Sequence, residues 1–243
     1  MTSWIMMVGL SLLTVAQQPA PDAVTLLQQY SSERDTLTTM QARFTQWIFT
    51  PEEDLKSEGT VTFASPKRII FRYDDPPLAY MIDDTHAYEY DEELEQIIIY
   101  DIEGQPEAEA FFLGMQSDIS DIRDAYEVSI LPEEPGEADF LHVQLIPHPD
   151  EELEPLFLSV TLKMRKSDFL PARILIRNDD DSRVEFTLTD FITNEVLPDD
   201  RTHIFVPERT DIVINDIALE PAGAEGRYFP ERTASDEEQD TED

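Results

Sequence analysis

From Gln41 onward, apolar side chains recur at every second position, in short segments separated by acidic or proline-containing turns. Phe44, Gln46 and Ile48 alternate with Arg43, Thr45 and Trp47, which predicts a first strand. Val61 and Phe63 mark a second strand, and Ile69, Phe71 and Tyr73 a third, closed by Asp74-Asp75-Pro76-Pro77. Leu78 to Ile82 and Ala87 to Tyr90 flank Asp83-Asp84, a hairpin pattern, and Gln96 to Tyr100 follows the acidic turn at Asp91 to Glu93. Later strands are predicted at Val128–Ile130, Leu141–Leu145, Leu158–Leu162, Ile174–Ile176 and Val184–Leu188. Ile204–Val206 and Asp211–Ile214 read as a last extended pair. Polar residues, among them His142, Lys163, Arg173 and Glu185, hold the alternate positions, so one face is wet and the other dry. About eleven strands with this patterning predict a mainly β, antiparallel fold and exclude a parallel α/β sheet.

The period changes in two places. After Asp22, a residue suited to N-capping, Ala23, Leu26, Leu27, Tyr30 and Leu37 recur at helical spacing and predict an amphipathic helix. Between Pro106 and Tyr126, Ala108, Phe111, Phe112 and Met115 fall on one helical face, and Ile119, Ile122 and Tyr126 predict a second short turn of helix. Upstream, the apolar run Trp4 to Val15 followed by Ala16 has the length of a signal-peptide core, although no Lys or Arg precedes it. The expected organisation is a cleaved signal peptide at 1–16, a spacer at 17–21, one domain at 22–218 and an acidic tail at 219–243. Export is therefore expected, and no internal repeat is present.

Charge changes the picture of the surface. There are 53 acidic residues against 17 basic ones, a formal charge of −36 with pI near 4.1. Such a surface repels nucleic-acid phosphates and anionic membranes. It suits either a high-salt habitat, where screening suppresses self-repulsion, or docking to a basic partner. Its even spread along the chain favours the first.

Candidate catalytic chemistry is sparse. The chain has no cysteine, which removes disulfides, thiolate catalysis and lipid attachment at cysteine. His86, His142, His148 and His203 lack ligand spacing, and neither a nucleophile elbow nor a phosphate-binding loop occurs. The carboxylate groups Asp83-Asp84, Glu92-Glu93 and Asp179-Asp180-Asp181 lie between strand patterns, where Asp side chains build turns. No enzymatic activity, cofactor or metal is expected. The distinctive content is apolar: Phe44, Phe63, Ile69, Phe71, Tyr73, Tyr88, Tyr90 and Ile98 on the strands, with Phe111, Phe112 and Met115 on the helical insert. If these share one side of the sheet they line a hollow, whereas the same residues also suit a filled core.

The order of these segments resembles the LolA family of periplasmic lipoprotein carriers. The pieces are Ala42-Arg43-Phe44-Thr45-Gln46, Glu58-Gly59 leading to Pro66, Ile69-Ile70-Phe71-Arg72-Tyr73 and the hairpin Asp83 to Asp91. They continue with Ala110-Phe111-Phe112-Leu113-Gly114, Phe169 to Ile174, Phe186 to Asn194 and Phe205-Val206-Pro207. The resemblance implies an incomplete β-barrel with a helical lid and a cavity for the acyl chains of lipoproteins. It also implies a monomeric carrier in the periplasm that serves an inner-membrane donor complex and an outer-membrane acceptor. Phe71 falls where members carry a cavity tryptophan. Ser65 stands where the best-studied branch has an arginine that holds the lid shut, with Lys67 and Arg68 as nearby substitutes. Related folds sense lipoproteins, so an envelope sensor or interaction module is the alternative function.

Overall fold

The computed structural model describes residues 23–103, 125–149, 157–215, 217–223 and 225–230, with side chains from Gln29 onward. One helix, α1 (Ala23–Arg34), precedes a run of strands: β1 (Thr39–Phe49), β2 (Asp54–Ala64), β3 (Arg68–Tyr73), β4 (Leu78–Ile82), β5 (His86–Asp91) and β6 (Gln96–Asp101). After the insert come β7 (Tyr126–Leu131), β8 (Phe140–Pro147), β9 (Ser159–Arg165), β10 (Pro171–Arg177) and β11 (Arg183–Thr193). The chain ends in α2 (Asp199–Thr202), β12 (Ile204–Val206), β13 (Asp211–Ile214), β14 (Ile217–Ala218) and β15 (Arg227–Phe229). The insert residues Phe111, Phe112 and Met115, and with them the expected lid, lie outside the described residues, as do residues 1–22 and 231–243.

Among the described residues, thirteen strands form one sheet in the order β14-β13-β6-β5-β4-β3-β2-β1-β11-β10-β9-β8-β7. The edge strands β14 and β7 are not neighbours in it, so the sheet is open rather than closed into a barrel. β1 is the central strand: its eleven residues pair with β2 along their whole length and with β11 on the other side. Acidic side chains make the turns of the antiparallel hairpins β4–β5, β5–β6 and β10–β11. Asp83 accepts hydrogen bonds from the backbone of Thr85 and His86 at 2.9 and 2.8 Å, and Asp91 from Glu93 and Leu94. Asp179 likewise accepts from Asp181, Ser182 and the Ser182 hydroxyl, which holds its carboxyl below the usual range.

Directly paired residues of neighbouring strands point to one face, so the register sorts the sheet. One face carries Phe44, Phe186, Ile174, Leu162 and Val143 across β1, β11, β10, β9 and β8. Tyr30 of α1 packs into the cluster on this face with Val143, Leu145, Val160 and Leu162; we call it the inner face. The outer face has two halves. Over β8–β11 it is polar, with Arg173 bidentate to Glu185 at 2.8 and 2.7 Å. Over β3–β6 it is apolar and covered: Ile70, Met81, Tyr88, Tyr90, Ile97 and Ile99 pack under Ile204, Val206 and Phe229 of the small sheet β12–β15.

Three sequence expectations are corrected here. β12 and β13 do not pair with each other; β12 joins β15, and β13 runs parallel to β6. Alternation of side chains reports a strand but carries no information on its partner or direction. The ordered fold also continues beyond residue 218, because Phe229 is buried under β3–β6 and Ala222 seals the same cluster. The acidic composition around residues 219–230 points to a tail, but Tyr228 and Phe229 supply the apolar surface that anchors this segment. Tyr126 opens β7 rather than ending a helical turn.

Gly59 shows how tightly the centre is built. A Cβ there would collide with the Arg72 carbonyl and approach the Phe44 ring at 2.7 Å. Gly59→Ala is therefore expected to destabilise the protein by ~1–3 kcal/mol, as overpacking of a filled core does. Urea unfolding at matched conditions measures it; an unchanged midpoint would show that β2 can move away from Phe44 freely.

Candidate functional site on the inner face

The inner face becomes aromatic where β1, β2, β3 and β11 meet. Phe44, only 2% exposed, sits at the middle with ring centroids of Phe71, Tyr73 and Phe186 at 5.7, 5.1 and 6.0 Å. The angles are edge-on for all three, the arrangement that aromatic quadrupoles prefer. Phe71 and Phe186 also meet each other at 5.6 Å. Gly59 is what lets Phe44 lie flat against β2. Below and beside this group, Met40, Val61, Phe63, Ile69, Ile82, Leu170 and Leu188 are buried in one cluster, while Phe71, Tyr73, Phe186 and Phe191 are only partly covered. Burial pushes the Tyr73 phenol up to about 12, partly offset by its hydrogen bond with Gln46. It stays neutral and adds no charge to the face.

Among the residues singled out from sequence, Phe44, Phe63, Ile69, Phe71 and Tyr73 are therefore brought together on the inner face. Ile98 shares that face but stands three strands away, in the row Phe71–Tyr80–Glu89–Ile98. The Tyr80 hydroxyl donates to Glu89 at 3.3 Å, so the lining turns polar before Ile98 is reached. Tyr88 and Tyr90 are corrected: they point to the outer face and belong to the core beneath β12–β15. The reason is register. Tyr88 pairs with Met81 and Ile99, Tyr90 with Ala79 and Ile97, all on the side opposite Phe71. Both phases of β3–β6 carry apolar or aromatic residues, and alternation cannot say which of the two faces such a residue joins.

The structure adds residues to this face that sequence reasoning passed over. Phe186, Ile174, Leu162, Val143 and Ile130 extend the apolar lining across β11–β7. Their period-two pattern was visible, and the missing piece was that β11 adjoins β1 and so continues the face. The basic residues near Ser65 have partners of their own among the described residues. Lys67 reaches Asp84 at 3.1 Å, and Arg68 turns outward to the Thr202 carbonyl at 3.2 Å and the His203 ring at 3.1 Å. Arg72 does similar work, donating to the carbonyls of Asp200 and His203 at 2.8 and 2.6 Å, so β3 clamps the end of α2 to the outer face.

On that outer face a cleft of about 530 Å³ opens between the main and small sheets. Leu78, Ala79, Tyr90, Ile204 and Phe205 form its apolar walls, Tyr73 reaches it at the strand end, and Arg72 stands with Glu92, Glu95 and Asp200 among its charged residues. No group of three or more His, Asp or Glu side chains fit for a metal occurs among the described residues.

An open β-sheet with a largely apolar inner face, and a helix laid on it, defines a class of one-sided half-barrels. The particular family follows from the sequence: residues 35–204 match the model of the outer membrane lipoprotein carrier protein LolA, and the chain belongs to that family. No curated protein matches it. Among solved structures it is similar to an uncharacterized conserved protein from Thermus thermophilus, at 9% identity and TM-score 0.53, covering 80% of this chain and 100% of that one. A LolA superfamily protein from Nitrosomonas europaea is more distant, with 14% identity, TM-score 0.41 and coverage of 75% and 98%. MucB of Pseudomonas aeruginosa in its complex with MucA has 12% identity, TM-score 0.41 and coverage of 76% and 61%, so this chain spans about three-fifths of it.

Proposed function

We propose that the protein is a periplasmic carrier that shields the acyl chains of a lipoprotein or another lipid against its inner face. The single observation behind this reading is the half-covered aromatic patch of Phe71, Tyr73 and Phe186 resting on a fully buried floor of Phe44 and Ile69. Large rings left partly bare beside one another offer apolar area to a ligand. An acyl chain laid on them gains ~0.8 kcal/mol for each methylene removed from water. Family membership supports the same role, with a donor complex at the inner membrane and an acceptor at the outer membrane as partners. The chain is proposed to bind as a monomer and to perform no catalysis.

The protein purified without detergent is expected to carry bound lipid, detected by mass spectrometry of an organic extract. A lipid-free extract, together with no uptake of added fatty acid, would end this reading. The acidic cleft on the outer face supports a second one, an envelope sensor or interaction module that docks a basic segment of another protein. In that case charge reversal at Glu92 and Glu95 would matter, and the inner face would not.

A further inference from the structure

At the other end of the inner face, a cation is buried without adequate partners. Arg34, the last residue of α1, is only 4% exposed. One terminal nitrogen donates to the backbone carbonyl of Asp168, while its Nε and other terminal nitrogen have no hydrogen-bond partner among the described residues. The Asp168 carboxylate is already engaged, by Arg165 and by the Leu170 N–H at 3.1 Å. Two guanidinium groups thus share one carboxylate, and Glu33 on the same helix is exposed. Within a chain of net charge −36 this corner carries a buried positive excess.

Tyr30 lies one helical turn before Arg34 and so on the same face of α1. Its ring lies 5.4 Å from the guanidinium carbon, and its buried hydroxyl is likewise unpartnered among the described residues. Burial lowers the tendency of Arg34 to hold its proton and raises that of Tyr30, which is the strain of unsatisfied polar groups in an apolar setting. That setting is the cluster of Tyr126, Phe157, Val160, Leu162 and Met164, part of the inner-face lining. Buried donors left unpaired are costly, and a guanidinium fork matches a carboxylate or phosphate in shape and charge.

We infer that Arg34 and Tyr30 form a seat for the oxyanion of an acyl-chain ligand, a carboxylate or a phosphate, whose hydrocarbon lies along the apolar inner face. The inference rests on the lipid-binding reading above and adds a headgroup preference to it. The seat is closed to solvent, so the oxyanion reaches it as the surrounding apolar side chains part. Long-range repulsion from the acidic surface opposes anionic ligands, and screening in concentrated salt removes that term without touching a buried contact.

The test titrates the full chain in about 1 M NaCl, where the Debye length is ~3 Å, with palmitate, hexadecyl phosphate and hexadecanol. These share one hydrocarbon chain and differ in the head. Palmitate, hexadecyl phosphate or both are expected to bind about tenfold or more tightly than hexadecanol, and which one does identifies the source of the oxyanion. Arg34→Met should erase that difference and leave hexadecanol binding unchanged, and Tyr30→Phe should reduce it. Because the Arg34→Met change removes an unpaired charge, its melting temperature is expected to equal or exceed that of the parent. Equal affinity for all three ligands in the parent protein would overturn the seat while lipid binding stands. So would a uniform loss for all three in Arg34→Met, or a lowered melting temperature there, since either marks a structural brace. Failure of every ligand to bind would overturn both the seat and the carrier reading.

Discussion

Phe71→Asp is expected to abolish retention of acyl-chain ligands, by a hundredfold or more in affinity, while the far-ultraviolet spectrum of the β-sheet is kept. Phe71 touches Phe44 and Phe186 along its ring yet is only half-buried, so its remaining surface belongs to the lining rather than the floor. A carboxylate in that place sets a charge against the bound hydrocarbon. Desolvating it costs several kcal/mol, or else it takes up a proton and its pKa rises. Either route subtracts from a binding energy built only from methylene contacts, and about 2.7 kcal/mol already corresponds to a hundredfold. Phe71→Leu serves as the control and should retain binding within about threefold, because area rather than aromaticity is what the chain meets. Displacement of a fluorescent fatty acid measures both. If the aspartate variant binds as the parent does, ligands do not lie on this face.

The two halves of the sheet differed in how much could be read before the structure was known. For β8–β11 the alternation was sufficient. Lys163, Arg173 and Glu185 share the polar side and Val143, Leu162, Ile174 and Phe186 the apolar one, as the register shows, whereas His142 on the polar side is buried beside Glu137. For β3–β6 it was not, because the small sheet β12–β15 covers the second face and both phases are apolar. Tyr88 and Tyr90 were grouped with Phe71 for that reason. The pairing of β12 with β15 depends on Phe229, more than twenty residues away, a contact no local period encodes. Arg34 escaped notice by the same limit. At the C-terminal end of a helix a basic residue is ordinary, and only the tertiary fold reveals that Asp168 is already committed to Arg165.

The two sides of the sheet divide the labour. Clamped by Arg68 and Arg72, the outer cover fixes β3 from behind. Strand β3 then presents Ile69, Phe71 and Tyr73 to the inner face at a fixed register with β2. On the inner side Phe71, Tyr73, Phe186 and Ile174 pack against the buried cluster and remain partly covered. Under the proposed carrier reading, a clamped back and a partly covered front suit a face that binds chains of varied length and lets them go.

Phe44→Ala separates floor from lining and is expected to produce the largest loss of stability of any single substitution on this face, ~3–5 kcal/mol. Phe44 is almost wholly buried and meets three rings edge-on; removing it deletes those contacts and leaves a cavity above Gly59 that the surrounding strands cannot close. Strand β1 is paired on both sides, so its backbone has no freedom to collapse inward. For a domain of this size the change corresponds to a fall in melting temperature of roughly 10 °C. Binding should respond differently from Phe71→Asp. Below the lowered melting point, the alanine variant is expected to hold fatty acid within about threefold of the parent, because Phe71, Tyr73 and Phe186 still line the face and the new space is apolar. Calorimetric unfolding and fluorescent displacement on the same sample measure the pair of effects. A variant that melts within about 2 °C of the parent would mean that Phe44 is not the keystone of the inner cluster, and the division between a solid floor and a half-open lining would fail with it.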